Sequence, residues 1–144
     1  MADQTKTPVL PNDDLRARLW RARNFMDECY DQPLDLKQIS QQACMSHYHF
    51  LRSFRAAFNT TPRQYLIQRR IAKAKELLCK HTISVTDVCF EVGFQSLGSF
   101  SALFHKLVGD APVSYRRRQR EALQKIHGCF ISMYELKPSD RKHL

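Results

Sequence analysis

Apolar positions recur at helical spacing along most of the chain. Between Asp13 and Tyr30 they return every three or four residues, which places them on one face of a helix. This stripe consists of Leu15, Leu19, Ala22, Phe25, Met26 and Cys29. Pro33 closes the first helix, and the same spacing continues after it. The pattern predicts an all-α protein.

Capping residues predict where three of the later helices begin. In each case a capping residue is followed, three positions later, by a side chain that can reciprocate: Asp35 with Gln38, Thr61 with Gln64, and Ser84 with Asp87. Helices are therefore expected to begin at about positions 36, 62 and 85. Asn59 and Gly109 suit the left-handed residue that ends a helix, and Pro62 and Pro112 suit the first position of the next one.

One pattern occurs twice, fifty residues apart. Phe50, Phe54, Asn59, Pro62 and Tyr65 match Phe100, Phe104, Gly109, Pro112 and Tyr115 at that offset. Upstream, Ile39 and Ala43 match Val88 and Val92 at an offset of 49, so the second unit has one extra residue in its turn. Because phenylalanines at i and i+4 form a buried stripe, we expect them in the core and the functional residues on the opposite faces.

Each unit has the order of a helix-turn-helix. The paired helices are predicted at about 36–43 and 46–58, and at about 85–92 and 96–108, with a short turn between the two members of each pair. The second helix of such a unit can enter the major groove of DNA. A generic helical hairpin fits the same spacing, but the duplication favours the DNA-binding form.

Positive charge is concentrated where the repeat lies. The net charge is +9 and the isoelectric point about 9.6. Residues 1–35 hold seven acids and five bases, whereas residues 36–144 hold seven acids and eighteen bases. A clustered basic surface attracts nucleic acid or an anionic membrane, and its density after each repeat unit favours nucleic acid.

Other kinds of chemistry find little support. No nucleophile triad, glycine-rich phosphate loop or carboxylate pair emerges, so we expect neither an enzyme nor a cofactor. His47 and His49 diverge by about 200° on a helix and cannot readily share a metal. The five cysteines lack a C-x-x-C pair, and Cys44 and Cys89 are expected to be small buried residues. No apolar run reaches the roughly 20 residues of a membrane span, so we expect a cytoplasmic protein with no membrane partner.

The motifs resemble a known family. The second unit contains Val92-Gly93-Phe94, Phe100-x-x-x-Phe104 and Gly109-x-x-Pro112-x-x-Tyr115-Arg116. The first contains Ile39-x-x-x-Ala43-x-x-Ser46, Phe50, Phe54 and Pro62-x-x-Tyr65-x-x-x-Arg69-Arg70-Ile71-x-x-Ala74. Over about residues 13–118 the chain resembles the arabinose-regulator (AraC/XylS) family of bacterial transcription factors. Cys89, where the family usually has Ala, and Ala111, where it often has Ser or Thr, depart from the pattern but are small enough to preserve packing.

The resemblance implies a monomer of about seven helices, with two helix-turn-helix subdomains joined by a long helix. We expect a mobile lead over 1–12, a first subdomain with the linker helix over 13–80, a second over 81–121 and an extension of unknown role over 122–144. Many members of the family carry a separate sensing domain. Since 144 residues leave no room for one, we expect a stand-alone protein that binds double-stranded promoter DNA and meets RNA polymerase there. A helical protein-interaction module and a cysteine-based redox sensor remain the alternatives.

Family contact positions and exposed helix faces give the candidate site. Base contacts are expected from His47, Tyr48, Leu51 and Arg52 in the first unit and from Gly98, Ser99, Ser101 and Ala102 in the second. Phosphate contacts are expected from Ser46, Arg55, Arg63, Gln64, Gln95, Ser96, Lys106 and Arg116. Arg52 can form a bidentate contact with guanine, whereas the second unit has no long forked side chain at its contact positions. We therefore expect the first unit to set sequence choice and the second to supply mainly phosphate contacts and shape complementarity.

Overall fold

The computed structural model describes residues 11–80 and 82–134, with side chains over 13–80 and 82–129. Within this part of the chain there are seven helices and no strand. They are α1 (Pro11–Glu28), α2 (Leu36–Gln42), α3 (His47–Phe58), α4 (Pro62–Leu78), α5 (Val85–Glu91), α6 (Leu97–Val108) and α7 (Pro112–Tyr134). The all-α prediction is confirmed, and the predicted helix ends agree to within two residues.

The predicted caps start the helices. The Asp35 carboxylate accepts from the Gln38 backbone N–H at 2.7 Å, and the Gln38 side-chain oxygen accepts from the Asp35 N–H at 2.9 Å. Thr61 and Gln64 form the same reciprocal pair at the start of α4. The Ser84 hydroxyl accepts from the Asp87 N–H at 3.0 Å. Each pair satisfies N–H groups that have no partner within their helix.

The predicted stops end the two longer helices of the repeat. Asn59 follows α3 with φ 55°, and Gly109 follows α6 with φ 86°. Both residues adopt the left-handed conformation, and their N–H groups donate to the carbonyls of Arg55 and His105. The chain then turns into Pro62 or Pro112, so both units close in the same way.

Two hydrophobic cores hold the molecule together, one for each repeat unit. The first is formed by Leu19, Ala22, Met26, Ile39, Ala43, Phe50, Phe54 and Leu66. The second is formed by Ile71, Ala74, Leu77, Leu78, Val88, Cys89, Val92, Phe94, Phe100 and Phe104. All four phenylalanines of the repeated pairs are fully buried, as predicted. The subdomains thus share the same packing plan.

Helix α4 contributes to both cores. Leu66, near its start, packs in the first core, and Ile71, Ala74, Leu77 and Leu78 pack in the second. Because one continuous helix supplies both sets, neither subdomain can rotate without disturbing the packing of α4.

The turns of the two helix-turn-helix units use a left-handed residue at matching positions. Cys44 has φ 52° in the first turn, and Gly93 has φ 97° in the second. Cys89 is fully buried as predicted, and burial raises the pKa of its thiol. The prediction that Cys44 is buried was wrong. Its position in the turn leaves the residue exposed, while the neighbouring Ala43 fills the core.

Gly93 lies against the backbone of the segment that follows α1. A Cβ atom there would lie 2.7 Å from the Tyr30 carbonyl oxygen and 3.0 Å from the Asp31 carbonyl carbon. The second turn therefore packs directly on the backbone that follows α1. Only glycine combines this approach with a positive φ.

Two arginines bind connecting segments through backbone carbonyls. Arg70 of α4 donates from Nε to the Tyr30 oxygen at 2.6 Å and from Nη2 to the Gln32 oxygen at 2.8 Å. Burial lowers its pKa, and the charge of Asp31 opposes that shift. Arg116 of α7 donates from Nε to the Leu78 oxygen at 3.1 Å and from Nη2 to the Ile83 oxygen. We call Arg70 and Arg116 the two arginine clamps, since each fixes a loop against a helix.

The last helix crosses the domain boundary that the sequence analysis placed after residue 121. It runs from Pro112 to Tyr134 without interruption, and residues 121–129 are all exposed. At the other end, α1 begins at Pro11, within the expected lead of residues 1–12. The rest of that lead, residues 1–10, and positions 135–144 of the expected extension lie outside the described residues.

Replacing Gly93 by alanine should destabilise the protein far more than the same change at Gly109. Both residues have positive φ, but a Cβ at Gly109 would meet nothing within 4 Å. We expect a loss of about 1–2 kcal/mol for Gly109→Ala from backbone strain alone. Gly93→Ala adds the clash with the Tyr30 backbone, so we expect about 3–5 kcal/mol. Urea unfolding followed by circular dichroism measures both, and equal losses would contradict the close packing at Gly93.

Arg116→Met should lower the free energy of unfolding by about 1–3 kcal/mol, because two partly buried carbonyls lose a charged donor. Arg117→Met is the matched control, since Arg117 is the next residue of α7 and is exposed. Its effect should stay within about 0.5 kcal/mol. Denaturant unfolding of both variants measures the two losses. Equal losses would show that the contacts of Arg116 with the carbonyls do not stabilise the fold.

Candidate nucleic-acid interface

The outward face of α3 carries the residues predicted to contact bases. Tyr48 and Arg52 are exposed on the side opposite the buried Phe50 and Phe54, and His47 is exposed at the first position of the helix. Tyr48 is 70% exposed, which is unusual for an aromatic side chain. Leu51 is 37% exposed, at the edge of the same face. The structure therefore gathers the four expected base-contacting residues of the first unit on one accessible surface.

Tyr48 and Arg52 interact with each other on this surface. The Arg52 Nη1 donates to the Tyr48 hydroxyl at 3.4 Å, and the guanidinium carbon lies 5.5 Å from the centre of the ring. A cation–π contact at an exposed site contributes about 0.5–1 kcal/mol. The pair is therefore held together only weakly, and either side chain can reorient toward a ligand.

Helix α1 lies beside this face, which the sequence did not reveal. A groove of about 840 Å³ separates the two helices, with Leu15 and Arg16 on the α1 side and Tyr48, His49 and Arg52 on the α3 side. Arg16 is exposed and adds a second cation at the edge of the α3 surface. The apolar stripe predicts which face of α1 is buried in the core. It does not predict which exposed residues of α1 lie next to α3.

The outward face of α6 is smooth by comparison. Gly98, Ser99 and Ala102 are exposed, and Ser101 is half-buried. Their side chains are too short to reach far from the helix. His105 and Lys106 are exposed near the other end of α6. The two faces occupy equivalent positions in the repeat but differ in reach and in hydrogen-bonding capacity.

The first turn of each of these helices is capped by a serine. The Ser46 hydroxyl accepts from the His49 N–H at 3.4 Å, and the Ser96 hydroxyl accepts from the Ser99 N–H at 3.2 Å. Each hydroxyl keeps its own proton to donate. Both serines are exposed at the positive end of a helix, an arrangement that suits an anion.

The remaining phosphate candidates separate into two groups. Arg55, Arg63, Gln95 and Lys106 are exposed. Gln64 is exposed too. Its side-chain oxygen caps α4, and its side-chain NH2 group is the part that can donate to a phosphate. Arg116 is half-buried, and its guanidinium is bound to two backbone carbonyls. We therefore give Arg116 a structural role and leave it out of the proposed phosphate contacts.

Other basic residues from the densest parts of the sequence are also engaged within the protein. Arg69 Nε lies 3.4 Å from the Asp27 carboxylate, and Arg118 Nε lies 3.2 Å from the Asp110 carboxylate. Together with the arginine clamps, they show that the base excess overstates the charge directed at a partner.

Arg23 is the centre of an aromatic cluster about two helical turns further along α1 than Arg16. Its guanidinium lies 4.7 Å from the Trp20 ring centre and 5.1 Å from that of Phe58, and its Nε donates to the Tyr65 hydroxyl at 3.0 Å. Tyr65 donates in turn to Asp27 at 2.7 Å. Burial, and secondly the hydrogen bond to Asp27, raise the pKa of Tyr65. This network joins α1, α3 and α4, so we assign Arg23 to the fold.

Residues 11–80 and 82–134 contain neither a metal-binding cluster nor a membrane span. No group of three or more His, Cys, Asp or Glu side chains there could hold a metal ion. None of the helices in that part is long and apolar enough to cross a membrane.

Sequence comparison places the repeat in a known family of domains. A family model described as a helix-turn-helix domain matches residues 39–118. The MmsAB operon regulatory protein of Pseudomonas aeruginosa is 32% identical over 97 residues, which are 67% of this chain and 32% of that protein. The melibiose operon regulatory protein of Escherichia coli is 28% identical over 104 residues, 72% of this chain and 34% of that protein. The matched part thus spans about a third of the length of these relatives.

Solved structures share the arrangement of helices. The DNA-binding domain of AdpA, a global transcriptional factor solved in complex with a target DNA, has a TM-score of 0.70 and 28% identity, covering 73% of this chain and 95% of that chain. The C-terminal domain of AraT, a response regulator from Geobacillus stearothermophilus, has a TM-score of 0.69 and 26% identity, covering 72% and 87%. With more than half of its residues matched by the family model and its helices arranged as in these domains, the chain belongs to the AraC/XylS family of helix-turn-helix transcription regulators.

Proposed function

We propose that this protein is a sequence-specific regulator of transcription that binds double-stranded DNA through α3 and α6. The observation that carries the proposal is the presentation of two exposed helix faces by one shared helix, α4. Each face is the second helix of a helix-turn-helix unit, which is the element that enters a major groove. The AdpA domain, which has the same arrangement, was solved on a target DNA, and this supports the proposal.

The length of α4 suits a protein that occupies two adjacent major grooves on one face of the duplex. Its 17 residues span about 26 Å at 1.5 Å per residue. Equivalent groove positions recur about every 34 Å along the DNA axis. DNA that bends toward the protein would remove the difference, at a cost of a few kcal/mol that the second set of contacts offsets.

The two helices have different tasks in this complex. Arg52 makes a bidentate contact with a guanine, and His47, Tyr48 and Leu51 contact neighbouring bases or sugars. On α6, Gly98, Ser99, Ser101 and Ala102 allow close approach to the groove and contact bases by packing. Sequence choice therefore rests mainly on α3, and α6 contributes chiefly shape complementarity.

Phosphate contacts surround both helices. Ser46 and Ser96 bind phosphates at the starts of α3 and α6, where the helix dipole favours an anion. Further contacts come from exposed long side chains: Arg55, Arg63, Gln64, Gln95 and Lys106. These contacts fix the register on the duplex and make the affinity depend on salt.

The same geometry supports a monomer on promoter DNA, because one chain supplies both recognition helices. Action at a promoter implies contact with RNA polymerase, and the relatives named as operon regulatory proteins support such a role. We place this function in the cytoplasm, where bacterial promoter DNA lies. The function is binding and regulation rather than catalysis.

Selection of bound sequences from a random DNA pool, followed by electrophoretic mobility shift, tests the proposed function. We expect one enriched motif that spans two major grooves, with an affinity for it at least about a thousandfold above that for unrelated DNA. Affinity for both should fall as salt rises. Enrichment of no motif, with equal affinity for all duplexes, would contradict sequence-specific binding.

Substitutions in the two recognition helices should have different effects. Arg52→Ala should lose about 1–3 kcal/mol of discrimination at one base pair, since the bidentate contact is removed. Lys106→Ala should weaken binding to all sequences alike and reduce the slope of log affinity against log salt by about one. Arg117→Ala, on the exposed surface of α7, is the control for a general loss of charge. Competition assays with every single-base variant of the selected site measure both effects.

The division of tasks between α3 and α6 predicts where base changes matter. Penalties should be larger under α3 than under α6 in the wild-type protein. The opposite distribution would show that α6 sets the sequence preference.

A further inference from the structure

A cleft of about 520 Å³ lies between the two recognition helices. Leu51 lines it from α3, Ser99 and Leu103 line it from α6, and Ile67, Arg63 and Arg70 line it from α4. All but one of the remaining lining residues are apolar. Its size falls in the range of about 300–1,000 Å³ that is typical of small-molecule sites.

DNA is poorly suited to fill this cleft. The phosphate backbone is charged and hydrated, so its transfer into a space with apolar walls would be costly. No side chain of the protein fills the cleft, so Ile67 and Leu103 beside it stay half-buried and keep apolar surface exposed to solvent. An apolar molecule could cover these surfaces at no such cost.

The charged groups of the cleft are both cations. Arg63 is exposed, and Arg70 is half-buried with Nε and Nη2 already bound to the Tyr30 and Gln32 carbonyls. No Asp or Glu is found among the described residues that line the cleft. Two carboxylates outside the cleft lie on its Arg70 side: Asp31, whose charge acts on Arg70, and Asp35, which shares with Arg70 a separate space of about 450 Å³. Within the cleft, the Arg63 guanidinium and the Nη1 of Arg70 face no acidic lining residue, and this favours an anionic ligand.

We propose that the cleft between α3 and α6 binds a small apolar carboxylate, and that this ligand competes with DNA. The apolar body of the ligand contacts Leu51, Ile67 and Leu103, and its carboxylate is directed to Arg63 and Arg70. Competition follows because Leu51 and Ser99 line the cleft and also belong to the proposed base-contacting surface. This second half of the inference rests on the proposed function, whereas ligand binding does not.

Competition has a quantitative consequence. A ligand that excludes DNA weakens the apparent DNA affinity by one plus the ratio of its concentration to its dissociation constant, so about elevenfold at ten times that constant. By linkage, saturating DNA must weaken ligand binding in the same proportion.

The test uses 2-naphthoate as the probe and its amide, 2-naphthamide, as the neutral counterpart. Backbone amide resonances of the whole chain are followed by NMR while each compound is added to millimolar concentration. We expect naphthoate to shift the resonances of residues around the cleft and to bind at least about fivefold more tightly than the amide. The same titration is repeated with the selected DNA site bound.

Ile67→Phe is the decisive variant, because it adds volume to the α4 side of the cleft from a residue that makes no proposed DNA contact. It should weaken naphthoate binding at least about tenfold and change DNA affinity by less than about twofold. Ile126→Phe, on the exposed part of α7, is the matched control and should change neither. If Ile67→Phe fails to fold, Leu103→Phe blocks the cleft from the α6 side and is judged by naphthoate binding alone.

Each result decides a separate part of the inference. Absence of shifts around the cleft, equal binding of naphthoate and amide, or unchanged naphthoate binding by the folded cleft-filling variant would overturn the ligand site. Naphthoate binding that is the same with and without bound DNA would overturn the competition. Failure of the protein to bind any selected DNA would refute the proposed function, and the titration without DNA would still decide the ligand site.

Discussion

The shared packing of α4 is the constraint on which the rest of the structure depends. Leu66 anchors the start of the helix in one core, and Ile71 to Leu78 anchor the remainder in the other. The distance between the two subdomains is thereby tied to the rise of an α-helix, which is fixed by its backbone hydrogen bonds. Arg70 and the close approach at Gly93 add a second connection, from α4 and the second turn to the segment after α1. Two small cores therefore behave as one body.

This construction explains why two half-buried arginines serve the fold. Subdomains of this size have short connecting loops whose carbonyl groups need donors. Arg70 and Arg116 satisfy carbonyls in two such loops, and the guanidinium group can do so twice with one side chain. Of the exposed cations, Arg52 and Arg55 lie on α3 and Lys106 lies on α6, while others, such as Arg117, lie on α7. A high isoelectric point thus reflects both the internal architecture and the proposed contact with DNA.

Much of the fold could be predicted because its signals are local or periodic. The caps at Asp35 and Thr61, the stops at Asn59 and Gly109 and the buried phenylalanine pairs depend on neighbours within one or two helical turns. The exposed faces of α3 and α6 follow from the same periodicity. What could not be predicted depends on residues distant in the sequence. The carbonyl partners of Arg70 and Arg116, the position of Arg16 beside α3 and the cleft between α3 and α6 all arise from packing between elements. The exposure of Cys44 was missed because the turn conformation, and not the residue type, decides it.

Hydroxyl-radical footprinting of the protein on its selected DNA site tests most directly whether α4 holds two recognition helices in adjacent grooves. Two protected stretches should appear on one face of the duplex, with centres about 10 base pairs apart, because one helical turn separates equivalent groove positions. A single short protected stretch would show that only one recognition helix engages DNA. Protections on opposite faces of the duplex would show that the spacing set by α4 does not match one helical turn.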